Sequence, residues 1–350
     1  MAGKFPIEYG TYVIEKDRLF PWLEDLRREY TLIGPVTEEE GPVFREVASP
    51  DELTLDYGLS MMGPQTHLYH LTEKICTIYK DPKGFRVESL ESTPPQVLLG
   101  VHACDLHAIL ILDKVFLQSG FEDRNYRLWR NNTVLIGYHC TRVGPQCFCA
   151  SMGTGPLFEP KEGYDFLLTD LGGVYLTETL GERAQRLISS LRPQKAEGTH
   201  FHKKEELASN LLTQFQKQID TQGLPETILQ NQDHPAWERT AEDRCLGCTN
   251  CTMVCPTCFC YDIKDHMSFD LKECDRVRYK DSCQELHFSE VHGGNFRQTR
   301  RARLRQFVTH KLATWWEQFG CFGCTGCGRC MTWCPTKIDL TEIAKEIMRG

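Results

Sequence analysis

The sequence predicts an α/β domain over residues 1–235 followed by a mainly α-helical domain over residues 236–350. Three observations predict this division. Short apolar runs that suit buried strands alternate with helical periodicity through the first part. The polar run Asn231-Gln232-Asp233-His234-Pro235 then breaks the periodicity and reads as a linker. Beyond it, cysteines recur in two runs, Cys245, Cys248, Cys251, Cys255 and Cys324, Cys327, Cys330, Cys334, each followed by proline.

Residues 1 to about 50 form a leading segment with a helical pattern at Leu19, Trp22, Leu23 and Leu26, and a strand over Val43–Pro50 that leads to a turn. Met61-Met62-Gly63-Pro64 reads as loop and core filling, because methionine adapts to irregular gaps. Val97–Val101 fits a buried strand, and Leu106, Ile109, Leu110, Leu112 and Phe116 fit one face of a helix over Asp105–Phe116. Asp105 is the expected cap of that helix, which places His102 and Cys104 in the loop before it. In α/β domains such loops are where sites collect.

Thr133–Tyr138 is a second strand that runs into Cys140, followed by Cys147 and Cys149 within Gly-Pro-Gln-Cys-Phe-Cys. Phe166–Leu168 and Val174–Leu176 suggest strands around Gly172-Gly173, and Arg183–Leu191 and Glu205–Ile219 suggest helices. There is no internal repeat apart from the paired cysteine runs, and no low-complexity segment.

Both late cysteine runs read C-x2-C-x2-C-x3-C-P. In this spacing three thiolates wrap one 4Fe-4S cluster and the fourth, set apart by a proline-started segment, reaches the other. Backbone N–H groups turned toward the sulfurs stabilise their negative charge. The spacing therefore assigns Cys245, Cys248, Cys251 and Cys334 to one cluster, and Cys324, Cys327, Cys330 and Cys255 to a second, giving a ferredoxin-like domain. Cys104, Cys140, Cys147 and Cys149, each at or after a strand end, suit a third 4Fe-4S cluster. The alternative is that Cys104 and Cys140 are small buried side chains and that Cys147 and Cys149 form a strained loop or redox pair. His102, His107 and His139 read as packing or hydrogen-bonding residues.

Cys258-Phe259-Cys260 echoes Cys147-Phe148-Cys149; its thiols either line a path to a partner, help complete another cluster, do redox chemistry of their own, or are structural. Cys321 lies three residues before the second run and offers a competing register, although Cys334-Pro335 favours the later one. Cys274 and Cys283 stand alone. Arg297, Arg300, Arg301, Arg303 and Arg305 precede an apolar helical face at Phe307, Val308, Leu312 and Trp315, and either face solvent or meet an acidic partner or phosphate. A helical spacer is expected between the two cysteine runs.

The chain has 350 residues, with 48 acidic against 40 basic side chains, a net charge of -8 that argues against nucleic acid as a partner. No apolar run is long enough to span a bilayer, and the start, MAGKFPIEYG, has no apolar signal core. With 18 cysteines, iron-sulfur ligation in a reducing cytoplasm accounts for the thiols more simply than disulfides. No G-x-G-x-x-G lies between a strand and a helix, so no bound nicotinamide is expected.

The stretch Gly100-Val-His-Ala-Cys104-Asp-Leu-His-Ala-Ile109, both Cys-Phe-Cys steps and the two cluster runs together resemble the iron-sulfur beta subunit of cytoplasmic nickel-iron hydrogenases of the sulfhydrogenase type, and the corresponding iron-sulfur subunit of anaerobic sulfite reductase. The resemblance covers about residues 90 to 350. It implies a non-catalytic electron-transfer subunit between a flavin- and NAD(P)-binding subunit, or a ferredoxin, and a catalytic hydrogenase or reductase subunit. It carries over the eight cluster cysteines and Cys104, Cys140, Cys147 and Cys149. His102-Ala103 stands where members often read Arg-Pro, a departure at the edge of the third cage. Two other classes remain: an enzyme in its own right that cycles the Cys-Phe-Cys thiols, and a scaffold that uses clusters only for assembly.

Overall fold

The apolar runs Gln96–Val101 and Thr133–Tyr138 are buried along their whole length, as central strands covered on both faces must be. They lie in the middle of a mixed sheet in the computed structural model, which describes residues 9–350. The start of the leading segment, residues 1–8, lies outside the described residues. In chain order the strands of this half are β1 (Tyr9–Glu15), β2 (Thr31–Glu38), β3 (Gly41–Glu46), β4 (Thr72–Asp81), β5 (Gly84–Ser89), β6 (Gln96–Val101), β7 (Thr133–Tyr138), β8 (Phe166–Asp170), β9 (Val174–Leu180) and β10 (Gln194–Lys195). The large sheet runs β10-β1-β9-β8-β7-β6-β2-β3. Its pairs β2–β6, β6–β7 and β7–β8 are parallel, and its flanks are antiparallel.

Side-chain alternation along the strands builds two cores. Val97, Leu99, Val134, Ile136, Phe166 and Leu168 face α1 (Leu19–Leu26), where Leu19, Trp22, Leu23 and Leu26 form the expected apolar stripe. Leu98, Leu135 and Leu167 face α2 (Ala103–Leu117), which brings Leu106, Ile109, Leu112 and Phe116 against them. Then come α3 (Arg124–Asn131), α4 (Gly181–Ile188) and α5 (Gly198–Leu212). The helix expected over Glu205–Ile219 thus starts and ends earlier, and the strand expected over Val43–Pro50 is found only in part, since β3 ends at Glu46 and Pro50 opens a short 3-10 turn, Pro50–Glu52. The parallel strands β6 and β7 both point their C-terminal ends at one place, where His102, Cys104, His139 and Cys140 follow.

The second half packs α6 (Leu224–Gln230), α7 (Pro235–Asp243), α9 (Arg300–Thr309) and α12 (Leu340–Arg349) around Trp237, Phe307, Val308, Leu312 and Ile347. Between these lie the single-turn helices α8 (Asn250–Met253), α10 (Trp315–Phe319) and α11 (Arg329–Thr332). Residues 231–235 form a tight turn between α6 and α7, closed by the Trp237 indole N–H on Asn231 O at 2.8 Å. The helical core takes in Ile219, Leu224 and Ile228 from before that turn, and Phe148 from the first Cys-Phe-Cys step.

The spacer between the cysteine runs is not helical throughout. Its first part is a hairpin of β11 (Tyr261–Met267) and β12 (Glu273–Lys280), which joins β4 and β5 in an antiparallel sheet ordered β11-β12-β4-β5. This sheet takes two strands from each side of residue 235. Every residue of β11 is exposed, so no buried face marked it in the sequence. The sheet is anchored by Arg278, which is buried and ion-paired to Glu73 on β4 and to Asp123, the N-cap of α3. Among the described residues no helix is long and apolar enough to cross a membrane.

Candidate iron-sulfur cages

The two late cysteine runs fold as similar loops. In the first, Gly247 and Thr249 adopt left-handed backbone conformations, with φ of 65° and 67°; in the second, Gly326 and Gly328 do, with φ of 63° and 76°. Left-handed residues placed between the cysteines turn successive backbone N–H groups inward, the concave geometry that receives anionic sulfur. The Gly326 N–H donates to Cys324 Sγ at 3.4 Å, and the Ile338 N–H donates to Cys334 Sγ at 3.3 Å. Each loop enters a single-turn helix, α8 or α11, that carries the third cysteine.

These loops line two adjoining cavities. Cys245, Cys248 and Cys251 of the first run share a cavity with Cys334 of the second. Cys324, Cys327 and Cys330 share the next with Cys255 of the first. Cys330 lines both, so the two cavities have a common wall. The structure thus brings together the sets that the spacing predicts, including the exchange of the fourth cysteine.

A third cavity collects Cys104, Cys140, Cys147 and Cys149, with His102 and Arg142 at its margin. Cys104 lies in the first turn of α2, not in the loop before it, because His102 takes the N-cap position in place of the expected Asp105. His102 stacks on Tyr57, with ring centroids 4.0 Å apart, and burial holds its pKa down at about 4. His139 bonds Thr169 Oγ1 and accepts from the Phe158 N–H, while His107 packs on Phe158.

Asp105 has a different partner. It forms a fully buried ion pair with Arg329, whose two terminal nitrogens lie 2.5 and 2.9 Å from its carboxylate oxygens. Arg329 also donates to Ser60 O and Ser60 Oγ. Since Asp105 follows Cys104 and Arg329 lies between Cys327 and Cys330, one ion pair fastens the third cavity to the second. Cys104, Cys149 and Cys327 pack in one cluster there. The Phe148 N–H donates to Gly326 O at 2.8 Å, and Thr154 Oγ1 donates to Thr325 O at 2.7 Å. A Cβ on Gly326 would lie 2.6 Å from the Cys149 nitrogen, so this contact requires glycine.

The chemistry of these thiols fits ligation to iron. Burial pushes the thiols of Cys104, Cys149 and Cys330 well up, and those of Cys140 and Cys324 up to about 12. So many buried thiols become thiolates only when positive charge offsets the desolvation, which iron supplies. Among the described residues no group of three or more Cys, His, Asp or Glu converges to hold a single metal ion. Thiols around a cubane stand apart at its corners and do not converge on one point.

The remaining cysteines separate from these sets. The Cys258 thiol neighbours Cys255, and together with the nearby Lys311 ammonium it holds Cys255 well below the usual thiol range. Cys260 neighbours Cys283, a proximity that no spacing announced, and that thiol lowers Cys260 to about 7. Cys321 lies outside the three cavities and meets the Lys114 ammonium at 3.5 Å. The arginines of α9 bind within the chain: Arg300 binds Cys245 O and Glu242, Arg301 binds Glu238 and Asp233, Arg303 binds Arg297 O and Gln298 O, and Arg305 binds Gln232 O, while the buried Nε atoms of Arg301 and Arg303 have no hydrogen-bond partner among the described residues. They clamp α9 to α7 and to the first cysteine loop. Sequence reasoning missed Lys311, Arg329 and the role of Asp105; only the charged residue inside the second Cys-x2-Cys step hinted at one of them.

Residues 244–338 match the 4Fe-4S dicluster domain family. The chain is 31% identical over 334 residues to the sulfhydrogenase 2 subunit beta of Pyrococcus furiosus, covering 95% of each chain. No solved structure matches it.

Proposed function

The chain belongs to the family of iron-sulfur beta subunits typified by that sulfhydrogenase protein, and we propose that it serves as the electron-transfer subunit of a multi-subunit cytoplasmic oxidoreductase. The partners in this reading are a flavin- and NAD(P)-binding subunit or a ferredoxin on one side, and a catalytic hydrogenase or reductase subunit on the other. The chain itself is non-catalytic.

The residues that would hold clusters are Cys245, Cys248, Cys251 and Cys334 in one cage, Cys255, Cys324, Cys327 and Cys330 in a second, and Cys104, Cys140, Cys147 and Cys149 in a third. Bound there, 4Fe-4S clusters supply one-electron exchange at potentials set by hydrogen bonds, burial and charge. The protein's own part is to exclude water, to aim N–H groups at sulfur, and to fix the cages against one another. The observation that carries the reading is the shared wall: Cys330 borders the first two cages, and Cys327 packs on Cys104 and Cys149 of the third. A chain that used iron only to fold would have no need to line its cages up in contact.

The test is to purify the native complex without oxygen and measure iron, acid-labile sulfide and EPR of the reduced sample. About twelve iron per chain supports all three cages, about eight removes the third, and clusters that stay oxidised while the complex turns over would sink the relay.

A further inference from the structure

Lys311 is 3% exposed and carries its charge into the helical core beside the second cage. Its ammonium donates to Thr257 Oγ1 at 2.6 Å, and that hydroxyl donates in turn to Gly323 O at 2.7 Å, which fixes it as an acceptor toward lysine. The Gly323 N–H returns a bond to Lys311 O at 2.9 Å, so lysine and the loop entering Cys324 are tied twice. Thr257 Oγ1 also lies 3.2 Å from Cys255 Sγ. Lys311 sits in a π-helical turn, His310–Thr314, between α9 and α10. Such turns widen the helix and often mark functional positions.

A buried ammonium is costly unless negative charge offsets it. Lys311 lines the cavity of Cys255, Cys324, Cys327 and Cys330, and it makes no ion pair with a carboxylate among the described residues. Arg329, a second buried cation near this cage, is neutralised by Asp105, and the partly buried Lys280 donates to Met253 O. The first cage is lined by no charged side chain; its cations, Arg300 bonded to Cys245 O and Arg303 beside Gly247, stand behind the cysteine loop and not in the cavity wall.

We propose that Lys311 sets the order of reduction in this chain, making the Cys255 cage easier to reduce than the Cys245 cage. Adding an electron adds negative charge, and a cation fixed nearby in a low-dielectric core stabilises the reduced state. This places an electron-holding position in the middle of the row, between the Cys245 cage and the Cys104 cage. The inference rests on the two-cluster reading above.

The experiment is a reductive titration of the anaerobically purified complex followed by EPR, with iron and sulfide measured on each sample. Cys324→Ser identifies the signal of the Cys255 cage by perturbing it. In the wild type that signal appears first. Lys311→Met moves it to lower potential with iron unchanged and leaves the Cys245-cage signal in place, while Lys311→Arg restores it. A wild type in which the Cys245 cage reduces first, or an iron-replete Lys311→Met with unaltered order, overturns the proposal. Should Lys311→Met lose iron, Thr257→Val keeps the lysine but removes its hydroxyl anchor; a smaller shift in the same direction supports the proposal, and an unshifted titration assigns Lys311 a structural role only. Failure of the cluster reading is separate, because it appears as missing iron in the wild type.

Discussion

The cages at the two ends of the row are built in opposite ways. The Cys245 cage takes three thiols from one loop of seven residues, Cys245–Cys251, and needs only Cys334 from elsewhere. The Cys104 cage takes its thiols from the start of α2, the end of β7 and the loop Cys147–Cys149, and exists only once β6 and β7 lie side by side. One is set by local backbone geometry and the other by tertiary structure. The first should therefore survive damage to the fold that the second does not, and the buried Arg329–Asp105 pair is where the two designs meet.

The largest expected effect tests that junction. Asp105→Ala leaves the Arg329 guanidinium buried without its counter-charge, at a cost of about 3–5 kcal/mol. The expected result is a clear fall in Tm, with iron lost from the Cys104 cage and the Cys255 cage, while the Cys245 cage is retained. Replacing the pair together, as Asp105→Leu with Arg329→Met, should recover much of the stability, because apolar packing commonly substitutes for a buried ion pair. Uniform iron loss from all three cages would show that the contrast between local and tertiary cages does not hold.

A narrower cut is Cys140→Ser. It removes a thiol from the Cys104 cage without touching the ion pair, and iron should drop by about four per chain with the dicluster signals intact. Smaller again is Gly326→Ala. The added methyl meets the Cys149 backbone at 2.6 Å and the residue must hold a φ of 63°, a strain of about 1–3 kcal/mol. The contact between second and third cages should loosen, read as weaker magnetic interaction between their EPR signals at unchanged iron content.

The same contrast explains what could be read from the sequence. The grouping of Cys334 with the first cysteine run and of Cys255 with the second was legible because the spacing of each run already shapes the loop that lines its cavity. The strands β6 and β7 were legible because continuous apolar runs such as Val-Leu-Leu-Gly-Val have few other uses. The hairpin β11–β12 was not, since β11 is exposed on both faces and its sheet is completed by strands that lie far away in sequence. Asp105 looked like a cap because capping is local, whereas its partner Arg329 is brought to it only by the fold. Lys311 gave no signal at all: a lysine in a helical stretch reads as a solvent-facing residue until its surroundings are known.

The smallest effect concerns the thiols that belong to no cage. Cys260 and Cys283 neighbour each other at the base of the β11–β12 hairpin, where the Asp281 N–H donates to Cys260 O at 2.9 Å. Neither lines any of the three cages. Cys260→Ser should therefore leave iron and sulfide unchanged and lower Tm only slightly, since serine keeps a hydrogen-bonding group toward Cys283. Cys258→Ser should also retain iron, but its contact with Cys255 predicts a shift in the EPR of the second cage that Cys260→Ser lacks. Loss of about four iron in either variant would mean that cage membership extends beyond the two spaced runs, and the line between local and tertiary cages would have to be redrawn through the second Cys-Phe-Cys step.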